Sequence, residues 1–265
     1  MTTPVWDPRQ YLRHADHRTR PFHDLLARIT PLPNEPEPRI ADLGCGAGNV
    51  TTLLADRWPA AHITGYDNSP QMLEKARTHT RPHLDFAEAD AATWQPAETY
   101  DLIVSNALLQ WVPGHIALLP RWLDALTPGG TLAFQVPGNF DAPSHTLMRE
   151  LAGSPRWAGR LGGLLRHSDA VHTPGDYLAH LVAPGRTVDV WETTYLHLLK
   201  GEDPVLDWVK GTGLRPLITA LDDDPPAREA FLTDYRDLLR AAYPPGPHGT
   251  VLPFRRIFAV ARTAG

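Results

Sequence analysis

The chain has a single cysteine, Cys45, among 265 residues. This excludes an internal disulfide framework and a multi-cysteine zinc site. It also lacks any apolar run near the roughly 20 residues that a membrane span needs. Met1–Gln10 holds no apolar stretch behind a basic start, so no signal peptide is expected and the chain reads as cytoplasmic. Lys/Arg runs are missing, and 25 Lys+Arg stand against 30 Asp+Glu for a net charge of −5. That balance argues against nonspecific nucleic-acid binding. Repeats and low-complexity segments are absent as well. Turn formers are plentiful, with 27 Pro and 20 Gly, and 42% of residues are hydrophobic, enough to build a sizeable core.

Residues 1–20 are polar and include Arg9, Arg13, Arg18 and Arg20. Pro21 suits the first position of a helix continuing through Leu25, Leu26 and Ile29, so residues 1–30 read as an N-terminal helical cover. From Arg39 to Val136 the pattern alternates. Strands are expected at Arg39–Leu43, His62–Asp67, Leu84–Glu88, Tyr100–Asn106 and Thr131–Val136, and helices at Asn49–Trp58, from Pro70 behind a Ser69 cap, and at Ile116–Leu126. Such alternation implies a parallel sheet with helices on both faces. Residues 137–185 lose the pattern, are rich in Gly and Pro, and read as short helices forming a lid. Thr187–Leu199 alternates as a strand with Trp191, Thr193, Tyr195 and His197 on one face. Short helices at Asp203–Lys210 and Leu214–Leu221, a longer one from Pro225, and a buried strand at Arg256–Ala261 complete a single domain over 1–265.

The strongest local signal is Asp42-Leu43-Gly44-Cys45-Gly46-Ala47-Gly48, between a strand and a helix. Glycines let the backbone turn sharply and approach a ligand closely, and the helix start beyond offers N–H groups. The G-x-G-x-G spacing differs from the dinucleotide G-x-G-x-x-G, with Asn49 at the third glycine's place. Asp67, ending the second strand, can accept hydrogen bonds from both ribose hydroxyls and would repel a 2′-phosphate, which argues against NADP. Asp90, after the third strand, can reach an adenine amino group. Asn106 ends the fourth strand at the carboxyl edge, where open α/β sheets bind ligands.

Asp42, Gly44, Gly46, Gly48, Asp67 and Asp90 resemble, in order and spacing, the cofactor motifs of class I S-adenosylmethionine-dependent methyltransferases. Trp6-Asp7-Pro8, Arg18-Thr19-Arg20-Pro21, Gln110-Trp111, Val188–Tyr195, Asp207–Pro216 and Pro253–Phe258 resemble the trans-aconitate 2-methyltransferase family, so the resemblance covers nearly the whole chain. It implies an α/β, Rossmann-like fold: a seven-stranded, mostly parallel sheet with an antiparallel last strand and a helical lid. S-adenosyl-L-methionine is the implied cofactor and S-adenosyl-L-homocysteine its product. Tyr11, Asp42, Gly44, Gly46, Asn49, Asp67, Asn68, Met72, Asp90, Ala91, Asn106, Ala107 and Trp111 are the candidate cofactor contacts.

The implied reaction converts one carboxylate of trans-aconitate to a monomethyl ester by in-line displacement. A carboxylate is already ionised at pH 7, so no general base is required and the protein's task is positioning. A tricarboxylate needs cationic and polar partners. Strand polarity and the resemblance nominate Arg20, Gln110, Trp111, Tyr195, Arg215 and Arg256. Another small organic acid or a natural product on the same scaffold is the alternative, as is a non-catalytic S-adenosylmethionine-binding protein. A nucleic-acid methyltransferase fits poorly, because Ser105-Asn106-Ala107-Leu108 lacks the Pro-Pro-aromatic motif of base-amino methylases. No metal is expected: His14 and His17 find no third ligand. Cys45, Trp191 and Trp208 read as packing residues, and Asp222-Asp223-Asp224 as a solvated loop favouring the helix start after it. The acid used, the carboxylate methylated and the oligomeric state stay open.

Overall fold

In the computed structural model, which describes residues 15–165 and 168–265, seven strands form one sheet. They are β1 (Arg39–Leu43), β2 (His62–Asp67), β3 (Leu84–Glu88), β4 (Tyr100–Asn106), β5 (Leu126–Pro137), β6 (Thr187–Leu199) and β7 (Thr250–Arg262), in the order β3-β2-β1-β4-β5-β7-β6. The first five run parallel, with Ile40 beside Ile63 and Leu102, while β7 pairs antiparallel to β5 with Gln135 beside Phe258. β1 and β4 are central and buried on both faces, through Ile40, Ala41 and Leu43 and through Leu102, Ile103 and Val104. The strand order reverses between them. Their carboxyl ends therefore splay apart into the crevice where this architecture takes ligands.

The helices are α1 (Ala15–Leu26), α2 (Thr51–Arg57), α3 (Pro70–Ala76), α4 (Leu119–Asp124), α5 (Pro143–Ala152), α6 (Ala158–Leu161), α7 (Pro174–Leu181), α8 (Pro204–Lys210), α9 (Arg215–Ala220) and α10 (Pro225–Ala242). Several starts follow from local chemistry. Ser69 Oγ accepts from Met72 N at the head of α3, Thr173 and Asp176 form a capping box on α7, and Asp224 Oδ1 accepts from Ala227 N at α10. The acidic run before α10 is structural: Asp224 caps, and Asp223 and Asp224 both pair with Arg160.

The sequence reading needs four corrections. Pro21 lies inside α1 rather than opening it. The fully or nearly fully buried Phe22, Leu25 and Leu26 hold the helix across the missing N–H. The helix expected at Ile116–Leu126 splits into a 3₁₀ turn at His115–Leu118 and α4, with Pro120 in the first turn of α4. β5 begins at Leu126 and takes in Pro128-Gly129-Gly130, with an irregular register between Tyr100 and Leu102 on β4. β7 begins at Thr250, well before Arg256, and takes in Pro253, which precedes the Arg256–Arg262 stretch that pairs with β5.

The described residues fall into two compact units. One comprises 18–137, 170–193 and 256–265, with a core around Trp94, Trp122, Phe134 and Tyr177. The other includes 138–169 and 194–255, with a core around Trp157, Trp208, Phe231 and Tyr235. The stretch read as a lid, 137–185, is thus shared between them. Trp208 is core, Trp191 stacks on Phe258 with ring centroids 4.8 Å apart, and Cys45 is buried, its thiol pushed far above the ordinary range by burial and by Asp42 and Asp67. No described helix is long and apolar enough to cross a membrane.

Candidate active site

The loop after β1 is shaped by its glycines. Gly44, Gly46 and Gly48 have φ of +78°, +56° and +81°. A Cβ at Gly44 would stand 2.8 Å from the Leu108 side chain, and one at Gly48 3.0 Å from Phe86. At Gly46 a Cβ would meet nothing within 4 Å. Gly44 and Gly48 therefore serve close packing, while Gly46 turns a bare backbone toward open space. The amides of Gly44 and Cys45 donate to Tyr66 O at 2.8 and 3.0 Å, tying the loop to β2.

Asp67, at the end of β2, braces the same loop. Its Oδ2 accepts from Gly46 N at 2.9 Å, and its Oδ1 accepts from Ser69 N at 2.9 Å. Burial raises its pKa, and these backbone donors pull it back down. Asp42 lies beneath the loop, fully buried. Its Oδ2 accepts from Thr51 Oγ1 at 2.7 Å, whereas Oδ1 meets no donor among the described residues. Burial, helped by the charge of Asp67 and opposed by the Thr51 hydrogen bond, raises its pKa to about 7. A buried carboxylate with an unmatched oxygen is costly unless a donor or cation meets it. Thr51 was not among the sequence candidates, since nothing in the sequence marks it as Asp42's partner.

The second half of the site is the carboxyl ends of β4 and β5 with Arg256 of the antiparallel β7 beside them. Asn106 ends β4, and Ala107 follows with φ of +56°, a left-handed conformation that costs a non-glycine residue energy and clusters at functional sites. Gln110 is buried and donates through Nε2 to Ala107 O at 2.5 Å. Trp111 is half-buried in the 3₁₀ turn that follows. Gln135 Nε2 donates to Asn106 Oδ1 at 2.5 Å, and Arg256 donates to Gln135 Oε1 at 3.2 Å. Gln135 and Arg256 are both buried. The sequence reading missed Gln135. Its one trace there was a polar residue between Phe134 and Val136, level with Asn106.

The remaining candidates are spread more widely. Met72 and Ala91 are buried, while Asn49, Asn68 and Asp90 are exposed; Asp90 Oδ1 accepts from Ala92 N at 2.9 Å. Arg20 is exposed on α1. Tyr195 and Arg215 belong to the unit containing 194–255. There Tyr195 is buried and stacks on His197, whose ring lies 4.8 Å from that of Trp208, and Arg215 opens α9. Tyr11 and His14 lie outside the described residues, as does the side chain of His17. The described residues contain no group of three or more His, Cys, Asp or Glu placed to hold a metal ion.

Residues 40–130 match a methyltransferase domain model. The chain is 70% identical to the trans-aconitate 2-methyltransferase of Streptomyces coelicolor, across 98% of this chain and 88% of that protein. It is 68% identical to the trans-aconitate 2-methyltransferase of Streptomyces avermitilis, across 97% of each. Among solved structures, phosphoethanolamine N-methyltransferase 2 of Haemonchus contortus, bound to S-adenosyl-L-methionine, shares the fold with a TM-score of 0.54 at 16% identity, over 93% of this chain and 53% of that one.

Proposed function

Because the chain belongs to the trans-aconitate 2-methyltransferase family, we propose that it transfers a methyl group to one carboxylate of trans-aconitate and releases the monomethyl ester. The cofactor is S-adenosyl-L-methionine, which supplies an electrophilic methyl group on a sulfonium sulfur when bound. The observation that carries this reading is the open side of Gly46, set beside the Asp67 carboxylate and above the unmatched oxygen of Asp42. A bare backbone cradle and a carboxylate acceptor for ribose hydroxyls together suit a nucleoside.

Asp42, Gly44, Gly46 and Asp67 would hold the nucleoside and its amino-acid tail. Tyr11, Asn49, Asn68, Met72, Asp90, Ala91, Asn106, Ala107 and Trp111 would complete its surroundings. For the acid, Arg20, Gln110, Trp111, Tyr195, Arg215 and Arg256 would be the contacts, as the family resemblance implies. The nucleophile is a carboxylate ionised well below pH 7, so none of these residues needs to move a proton. They bind, orient and exclude water, holding oxygen, carbon and sulfur in line. We read residues 1–265 as one methyltransferase chain, with 1–30 as a cover and 137–185 as a lid, acting in the cytoplasm on a small acid rather than a nucleic acid.

The test is an acceptor panel of trans-aconitate, cis-aconitate, isocitrate and isopropylmalate, with ester formation followed by mass spectrometry. The reading expects trans-aconitate to give the highest kcat/KM. A higher value for another acid would reassign the substrate. Tight S-adenosylhomocysteine binding with no ester from any acid would favour a non-catalytic binding protein.

A further inference from the structure

The hydrogen bonds joining Arg256, Gln135 and Asn106 have a direction that chemistry fixes. A guanidinium has donors only, so Gln135 must turn Oε1 toward Arg256. Its Nε2 then faces Asn106, which must answer with Oδ1. Asn106 is thereby left with its amide N–H groups pointing away from Gln135. That side chain is half-buried, and among the described residues it makes only the one hydrogen bond, through Oδ1. The Gln135 backbone carbonyl also accepts from Ala107 N at 2.9 Å, so the same residue holds the left-handed turn that follows Asn106.

We propose that Gln135 is a positioning residue that fixes Asn106 as a hydrogen-bond donor at the carboxyl edge of β4, and that these donors take a carboxylate. The carboxylate has two possible sources, the acid substrate and the amino-acid tail of the cofactor. The inference rests on the methyltransferase reading for its ligands, and on the side-chain chain alone for its polarity. Nothing in composition or spacing points to it: Gln135 lies 29 residues from Asn106 and 121 from Arg256 in sequence.

Gln135→Glu tests it. The substitution keeps shape and offers Arg256 a charged acceptor, but it removes the donor toward Asn106. Asn106 then turns its own N–H groups to the introduced carboxylate and presents oxygen instead. Asn106→Asp is the second variant: it retains an acceptor for Gln135, removes the donors, and carries the test should the first fail to fold. Calorimetry with S-adenosylhomocysteine and with 5′-methylthioadenosine, which lacks the amino-acid tail, is run beside KM for trans-aconitate. A loss of about tenfold or more, the size expected for a hydrogen bond to a charged group, is predicted in one place. If S-adenosylhomocysteine weakens while 5′-methylthioadenosine does not, the carboxylate is the cofactor's. If both nucleosides bind as before and KM for the acid rises, it is the substrate's. Unchanged affinities and KM in both variants overturn the proposal, as does an equal loss for both nucleosides, which marks a merely structural role. Should the wild type fail to methylate trans-aconitate, the substrate reading fails by itself. The two nucleoside titrations then decide the proposal, and unchanged values in both overturn it.

Discussion

The carboxyl ends of β1 and β2 keep their shape mainly through backbone, with positive-φ glycines and amides bound to Tyr66 O and Asp67. The ends of β4, β5 and β7 keep theirs through side chains, with Arg256, Gln135, Asn106 and Gln110 bonded to one another or to the turn at Ala107. The first arrangement suits a ligand common to a large class of enzymes, since main-chain geometry depends little on the side chains around it. The second can be re-lettered by substitution, so on the proposed reading a choice among acids would be made there. Cofactor and acceptor should therefore respond separately to mutation.

The largest effect is expected where backbone shape and packing coincide. Gly44→Ala forces a left-handed alanine and sets its Cβ 2.8 Å from Leu108, so a stability loss of about 2–4 kcal/mol is predicted in urea unfolding. Gly46→Ala carries the strain of about 1 kcal/mol without the clash, yet should abolish most cofactor binding by filling the cradle. Equal stability losses in the two variants would erase the distinction between a packing glycine and a ligand-facing one.

Asp42 gives the next effect. Its folded pKa of about 7 lies above its unfolded value near 3.8, so between them the folded chain holds the proton more tightly. Its contribution to stability is fully present below about pH 4 and declines as pH rises to about 7, by at most about 1.4 kcal/mol per pH unit. Asp42→Asn should flatten that decline in cofactor-free protein, making the variant the more stable of the two at pH 8 by thermal melting. An unchanged pH profile would mean that Asp42 is charged at no cost.

A smaller and more selective effect is expected at the side-chain end. Arg256→Ala should raise KM for trans-aconitate about tenfold or more, a larger change than any in S-adenosylhomocysteine affinity. A matching loss of nucleoside affinity would show that the two halves are not separable, and an unchanged KM and kcat would remove Arg256 from the proposed acid contacts.

The difference between the halves also explains what could be read from sequence. The glycine loop, its preceding Asp42 and the capped start of α3 lie within short stretches whose conformations are set locally, so spacing alone found them. Asp67 and Asn106 followed from strand ends. Pro21 misled for the converse reason, since tertiary packing tolerates a proline that local rules take as a boundary. Gln135 and Thr51 were illegible because their partners are chosen by strand order and by the depth of the crevice, which no local pattern encodes.

The most direct measurement of the central claim is calorimetric titration of S-adenosylhomocysteine into the wild type and into Asp67→Ala. Asp67 braces Gly46 and, on the proposed reading, would accept from the ribose hydroxyls. The account predicts wild-type binding that weakens by about tenfold or more in the variant, with the fold retained by circular dichroism. Equal affinity in the two proteins, or no binding to the wild type, would contradict it.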